Sequence, residues 1–294
     1  TLTKKNEMIF DGLVSEHNHR FLLDVNITDF SFNSIAFLTY ATDSFNGTNI
    51  SSQRFWEATK WSESSLKDKL VLDVGCGTGR FAEIALKAGA YVIALDYSKA
   101  TKVAATNLQD YENLLCVQGN IYELPFKKGS FDFVYCLGVL QHTPDVESAF
   151  KSLVPMIKSG GKICVDYYWK RIVTMMNPKY ILRPVTRKLS NERLFKFLIL
   201  VVPQLLKLSI ALSRVYFVGK LLKRLIPVAN YKDIFPLSDD QLKDWALLDT
   251  FDMLAPTYDN PQTVKTVRSW LIENKYEKIE VLHASHLVAR GQKI

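Results

Sequence analysis

Between Lys69 and Tyr168 short β-branched runs alternate with segments of helical period, and this alternation constrains the fold more than any other feature of the chain. It is the signature of a parallel sheet wrapped by helices. The strands read as LVLDV (70–74), YVIALD (91–96), LLCVQG (114–119), FDFVYCLG (131–138) and GKICVDYY (161–168). Between them, Arg80 to Lys87, Lys99 to Leu108 and Val146 to Ile157 have helical periodicity. The closing run KIEVLHASHLVARG (278–291) reads as two further strands, which makes a mainly parallel, seven-stranded α/β sheet with helices on both faces. Such open sheets bind ligands beyond the carboxyl ends of their strands, where the strand order reverses.

The first strand runs into Asp73-Val-Gly75-Cys-Gly77-Thr-Gly79, and the first helix opens directly after it. Three glycines let the backbone turn tightly and approach a bulky ligand with no Cβ in the way. Asp96 ends the second strand, where a carboxylate can accept two hydrogen bonds from a ribose diol. Asp73, just before the glycines, would repel a pyrophosphate and suits a cationic or amino-bearing ligand. The spacing also misses the dinucleotide fingerprint, since GxGxxG needs glycine where Arg80 stands. A nicotinamide-dependent dehydrogenase is therefore the weaker candidate.

The net charge of +7 is unevenly spread. Residues 170 to 232 hold 14 Lys and Arg against Glu192 alone, a net +13, which leaves the remainder of the chain at −6. From Pro178 to Pro227 the pattern is Leu-rich, basic and helical, punctuated by Pro184 and Pro203. This divides the chain into a helical cap (1–64), a cofactor-binding core (65–169), a basic helical insertion (170–235) and the rest of the core (236–294). The cap is aromatic-rich, with Phe30, Phe32, Phe37, Tyr40, Phe45, Phe55, Trp56 and Trp61. In the last segment Leu237 to Phe251 and Pro261 to Asn274 read as helices, the first with Ser238 as its N-cap. Lys196, Lys207, Arg214 and Lys220 interrupt the apolar run from Phe195 to Ile226, so no transmembrane span is expected. Without the pattern of a signal peptide at its start, the chain is expected in the cytoplasm, in places at the inner face of the membrane. Cys76, Cys116, Cys136 and Cys164 lie singly in apolar runs, without metal-ligand spacing, and read as small core residues of a reducing compartment.

At this point VLDVGCGTGRFAEIALKAGAYVIALDYS resembles the first two motifs of the class I S-adenosylmethionine (SAM) dependent methyltransferases, with their Rossmann-like methyltransferase fold. NIYELPFKKGSFDFVYCLGVLQHTPD resembles the stretch that follows in their type 11 branch. The resemblance covers about 65 to 290. It implies SAM as cofactor and S-adenosylhomocysteine as product. Gly75, Gly77 and Gly79 would lie against the methionine moiety and ribose, with Asp73 before them, and Asp96 would hold the ribose hydroxyls with Tyr97 beside it. Asn120 and Ile121 would flank adenine, and the backbone of Leu137 and Gly138 would face the methionine amino group. Many relatives carry Asp where this chain has Asn120, and an amide oxygen still accepts from the adenine amino group. More narrowly, TDSFNGTNISSQRFWEATKW, the basic insertion and DTFDMLAPTYDNPQT are similar to a bacterial subgroup associated with envelope and surface-polysaccharide biosynthesis.

The sulfonium of SAM makes its methyl electrophilic, so a protein need only align an acceptor and, for a hydroxyl, remove its proton. His142, just after the fourth strand, is the candidate base; the alternative is that it caps or orients the next helix. Tyr168 and Trp169 at the end of the fifth strand, and Tyr258 and Asp259 in a turn-rich loop, are candidates to wall the acceptor, or else packing and turn residues. His17 and His19 read as surface residues, His283 and His286 as structural ones. The basic insertion reads as a membrane-surface lobe, an acidic-substrate clamp, a nucleic-acid platform, or a lid with solvated charges. Its apolar positions favour an amphiphilic acceptor over nucleic acid. O-methylation of a sugar or lipid-linked glycan leads, ahead of a quinone or other prenylated small molecule, tRNA, or SAM binding without turnover.

Overall fold

The computed structural model describes residues 42–171, 178–213, 226–234 and 237–294. The expectations for His17, His19, Phe30, Phe32, Phe37, Tyr40, Arg214 and Lys220 fall outside these residues. The described chain divides into two compact units, one of 42–169 with 260–294 and one of 170–259.

The first unit is built on seven strands: β1 (Leu70–Val74), β2 (Tyr91–Asp96), β3 (Leu114–Gln118), β4 (Phe131–Cys136), β5 (Ile157–Tyr167), β6 (Tyr276–Ala284) and β7 (His286–Lys293). Their order is β3-β2-β1-β4-β5-β7-β6. β1 to β5 are parallel and β7 runs antiparallel between β5 and β6. This is the Rossmann-like methyltransferase fold implied by the sequence. The chain winds outward from β1 to β3 and then restarts at β4 on the other side of β1, so the order reverses between β1 and β4.

Short helices α1 (Asp43–Asn46), α2 (Ile50–Thr59) and α3 (Glu63–Leu66) precede the sheet. α2 is fixed by its aromatic side: Phe55 is fully buried, edge-on to Tyr135 of β4 at 5.3 Å, and Trp61 packs on Phe133 at 4.7 Å. Helices α4 (Arg80–Lys87), α5 (Ala100–Asn107) and α6 (Val146–Leu153) follow β1, β2 and β4. The sequence places β5 too late and the preceding helix too long. α6 ends at Leu153, a 3-10 turn takes Val154 to Met156, and the strand already begins at Ile157, passing through Gly160 in a left-handed conformation. Two glycines there hide the strand from a β-branched pattern.

The second unit contains α7 (Lys179–Thr186), α8 (Asn191–Ser213) and α9 (Asp239–Leu254). Ser238 caps α9 reciprocally with Gln241. The sequence assigned α9 to the core, but α9 belongs with the insertion: Phe251 meets Phe195 of α8 edge-on at 5.4 Å, and Thr186 of α7 donates to the Leu254 carbonyl at 3.0 Å. The boundary therefore lies after Asp259 rather than after Phe235. α8 holds Lys196 and Lys207, and by length and composition this 23-residue helix is long and apolar enough to cross a membrane. After Asn260 the first unit resumes with α10 (Val264–Glu273), which packs Trp270 on Phe150 and Tyr167.

Candidate active site

The loop after β1 is sewn to the end of β2. Gly75 and Cys76 donate their N–H groups to the Leu95 carbonyl, at 2.7 and 3.0 Å, and Gly77 donates to Asp96 Oδ2 at 2.9 Å. The glycines, equal in the sequence, have separate tasks. A Cβ on Gly75 would lie 2.3 Å from Val139 Cγ2, so glycine is what lets the β1 and β4 loops touch. Gly77 has φ +53° and, among the described residues, nothing within 4 Å of where a Cβ would stand, so that side is open to a ligand among them. Gly79 is the left-handed N-cap of α4.

Two carboxylates flank this loop. Asp73, 1% exposed, has Oδ2 buried without a hydrogen-bond partner among the described residues. Burial pushes its carboxyl up to about 8, with the Asp96 charge adding to the rise and the Tyr135 hydroxyl and Arg80 opposing it. Asp96 accepts from Gly77 and from the Ser98 N–H and hydroxyl, both at 2.8 Å, which leaves one lone pair of about four for a ligand. Tyr97 beside it is 77% exposed. Beyond β3, the Asn120 side-chain oxygen accepts from the Tyr122 N–H at 3.1 Å, so it forms a turn and keeps one lone pair for a ligand. Ile121 is half-buried against the core.

On the other side of the reversal, Leu137 is buried and Gly138 has φ +80°. The Gly138 N–H donates to Asp166 Oδ1 at 2.5 Å, and Arg54 of α2 holds Asp166 Oδ2 at 2.7 Å. Asp166 is 1% exposed, so this ion pair ties the cap, the β4 loop and β5 together. The sequence reading missed both residues: they are 112 positions apart and belong to no local motif.

His142 ends a 3-10 turn, Leu140–His142. The cap of the following helix is Asp145, which accepts from the Ser148 N–H at 3.1 Å, so His142 does not cap it. Its imidazole lies edge-on to Tyr168 at 5.3 Å, Tyr168 stacks on His286 at 5.8 Å, and Trp169 lies against His283 at 5.0 Å. Because β7 is antiparallel to β5, the β6–β7 hairpin at Ser285 falls at the carboxyl end of β5. His283 and His286, read as structural from the sequence, thus line the same edge as His142. Burial, reinforced by the Arg54 cation, pushes the His286 imidazole down to about 4, so it is neutral at neutral pH. Gln141 is fully buried with neither side-chain amide atom hydrogen-bonded among the described residues, while its main-chain carbonyl accepts from the Asn260 N–H at 2.8 Å.

Tyr258 and Asp259 belong to the second unit. Asp259, 3% exposed, accepts from Lys179 at 2.8 Å and from Arg183 at 3.1 Å. Both contacts fall on Oδ2 of this buried carboxylate. Tyr258 is exposed.

Residues 72–165 match the family model described as "Methyltransferase domain". Among curated relatives, the chain is 37% identical over 101 residues to a ubiquinone biosynthesis O-methyltransferase of Coxiella burnetii, covering 34% of this chain and 43% of the relative. To the protein of that name from Pseudomonas paraeruginosa it is 30% identical over 143 residues, covering 45% and 60%. The chain thus spans about half the length of the curated relatives it matches. Among solved structures, a putative SAM-dependent methyltransferase of Methanococcus maripaludis aligns at 18% identity and a TM-score of 0.43, covering 78% of this chain and 80% of that one. The fold assignment rests on the strand order, not on that likeness. The site fits the family's cofactor. A glycine loop with one open side, a buried carboxyl with one oxygen unpartnered among the described residues, and a second carboxylate beside an exposed aromatic ring suit a nucleoside that carries an amino group and a sulfonium. Residues 72–165 are therefore a SAM-dependent methyltransferase domain.

Proposed function

We propose that the protein transfers the methyl group of SAM to a hydroxyl on the ring of a quinone-type, prenylated aromatic acceptor. The observation that carries this is the row of rings His142, Tyr168 and His286, with Trp169 and His283, at the sheet edge next to the glycine loop. The names of the curated relatives support it. They give no support to the saccharide acceptor that the sequence placed first.

When bound, SAM supplies an electrophilic methyl group. In this reading Asp96 would hold the ribose, Gly77 would leave room for the methionine moiety, and Asp73 would face its amino group. Tyr168 and Trp169 hold the acceptor ring by aromatic contact. His142 would take the hydroxyl proton as that oxygen accepts the methyl, the sulfur–methyl electron pair staying on sulfur. His286 stays neutral and adds no charge beside that proton.

The test is transfer of labelled methyl from SAM to a polyprenyl catechol, with His142→Ala alongside. Label in the ring methoxyl, cut about a hundredfold or more in the variant, supports the proposal. S-adenosylhomocysteine binding without transfer to any phenolic acceptor would sink it.

A further inference from the structure

The helices α7 and α8 present to solvent what a water-facing helix hides. In α7 the buried residues are Lys179 and Arg183, and the exposed ones include Ile181 at 77% and Val185 at 66%. Leu189 continues the spacing of four beyond the helix end. Lys179 and Arg183 turn inward because Asp259 and the carbonyls of Met253 and Pro256 receive them. Such a helix is inverted relative to the ordinary amphipathic pattern.

α8 is apolar on two sides. Leu194, Leu198, Val202, Leu206 and Ser209 form its buried stripe. On the opposite side Phe197, Leu200 and Leu208 recur at helical spacing, with Leu200 72% exposed. Only 28% of its most apolar stretch is buried in the protein. A helix with apolar stripes on two sides has an apolar surface that the protein alone does not cover. The outer stripe is interspersed with cations: Arg193 and Lys207 are exposed, as are Arg187 and Lys188 in the link from α7. Lys196 shares this side in a solvent-exposed pair with Glu192.

We propose that the outward sides of α7 and α8 dock on the surface of an anionic phospholipid bilayer. Apolar side chains enter the acyl boundary while the neighbouring Lys and Arg side chains meet the phosphate headgroups. Docking, rather than spanning, follows from the other side of α8. That side packs on α9, which carries Asp239, Asp240, Asp244, Asp249 and Asp252 and would have to enter the hydrocarbon with it. The charge sign selects acidic lipid: the segment from 170 to 232 is net +13.

The test is sedimentation of the full chain with vesicles of mixed phosphatidylcholine and phosphatidylglycerol, and of phosphatidylcholine alone. Binding is expected only to the mixed vesicles. It should weaken about tenfold or more in Arg193→Glu/Lys207→Glu and at high salt, and be lost in Ile181→Glu/Leu200→Glu. All four positions are exposed, so folding should survive, with circular dichroism as the check. A carbonate wash should release the bound chain; resistance to it would mean a spanning helix and overturn the proposal. So would absence of vesicle binding, whether accompanied by retention on RNA or by self-association that Ile181→Glu/Leu200→Glu abolishes. The readout is lipid attachment, so this proposal can fail with methyl transfer intact.

Discussion

At the scale of single residues, Asp73 ties the site to stability in an unusual direction. Its carboxyl titrates near 8 in the folded chain and near 3.8 when unfolded. Between those values the unfolded chain releases a proton that the folded one retains, so the folded state loses stability as pH rises from about 4 to about 8 and levels off above. A salt-bridged Asp does the opposite. In the absence of cofactor, Asp73→Asn should therefore melt several degrees higher than the parent above pH 8, with the gap closing toward pH 4. A parent at least as stable as the variant at the alkaline end would refute this. The glycines yield a second prediction. Gly75→Ala pushes a methyl into Val139 and should lower the melting temperature sharply, whereas Gly77→Ala meets open space and pays only about 1–2 kcal/mol of left-handed strain. Gly77→Ala should then keep a nearly native melting curve while calorimetry shows at least tenfold weaker S-adenosylhomocysteine binding. The spacing of the three glycines shows a ligand loop but not this division, because Val139 lies in another loop 64 residues on.

At the scale of elements, what was legible depended on whether a signal was local. β1, β2 and β4 are nearly continuous apolar runs, as strands buried on both faces must be, and all three begin where the sequence places them. The residues that complete the site are brought in by topology. Arg54 comes from α2, Asp166 from β5, and His286 from a hairpin whose position depends on β7 being antiparallel. No window of sequence contains them together. The Arg54–Asp166 pair should hold α2 against the sheet, since Asp166 is buried and its other oxygen anchors the Gly138 N–H. Arg54→Leu should destabilise the fold by about 3 kcal/mol, the lower end for breaking a buried pair because Arg54 retains some solvent contact. Arg54→Leu combined with Asp166→Asn should cost less than the sum of the two single changes. Strict additivity in urea denaturation would show that the pair is not coupled.

At the scale of the whole molecule, composition pointed to an insertion but not to its end. The charge imbalance stops near Lys232 and Ser238 reads as the N-cap of a new helix, whereas the insertion placed at 170–235 extends to Asp259. The apolar stripe of α9, Leu242, Ala246, Leu247 and Leu254, is equally suited to a sheet or a helix, and periodicity cannot say which it covers. In the structure the chain leaves the first unit after Trp169 and re-enters it at Asn260. The two ends meet: Trp169 and Gln262 form a parallel bridge, and the Gln262 N–H donates to the Tyr168 carbonyl at 2.9 Å. A unit whose ends are joined in this way can be excised without pulling the remaining chain apart. Replacing 170–259 by a short Gly/Ser linker should therefore leave a folded core whose affinity for S-adenosylhomocysteine stays within a few-fold of the parent, because the glycine loop, Asp73, Asp96 and Asn120 all lie in the part retained. The same change should abolish attachment to phosphatidylglycerol vesicles. A folded core with cofactor affinity reduced more than tenfold would mean that the second unit contributes to the cofactor site, against the division drawn at residues 169 and 260.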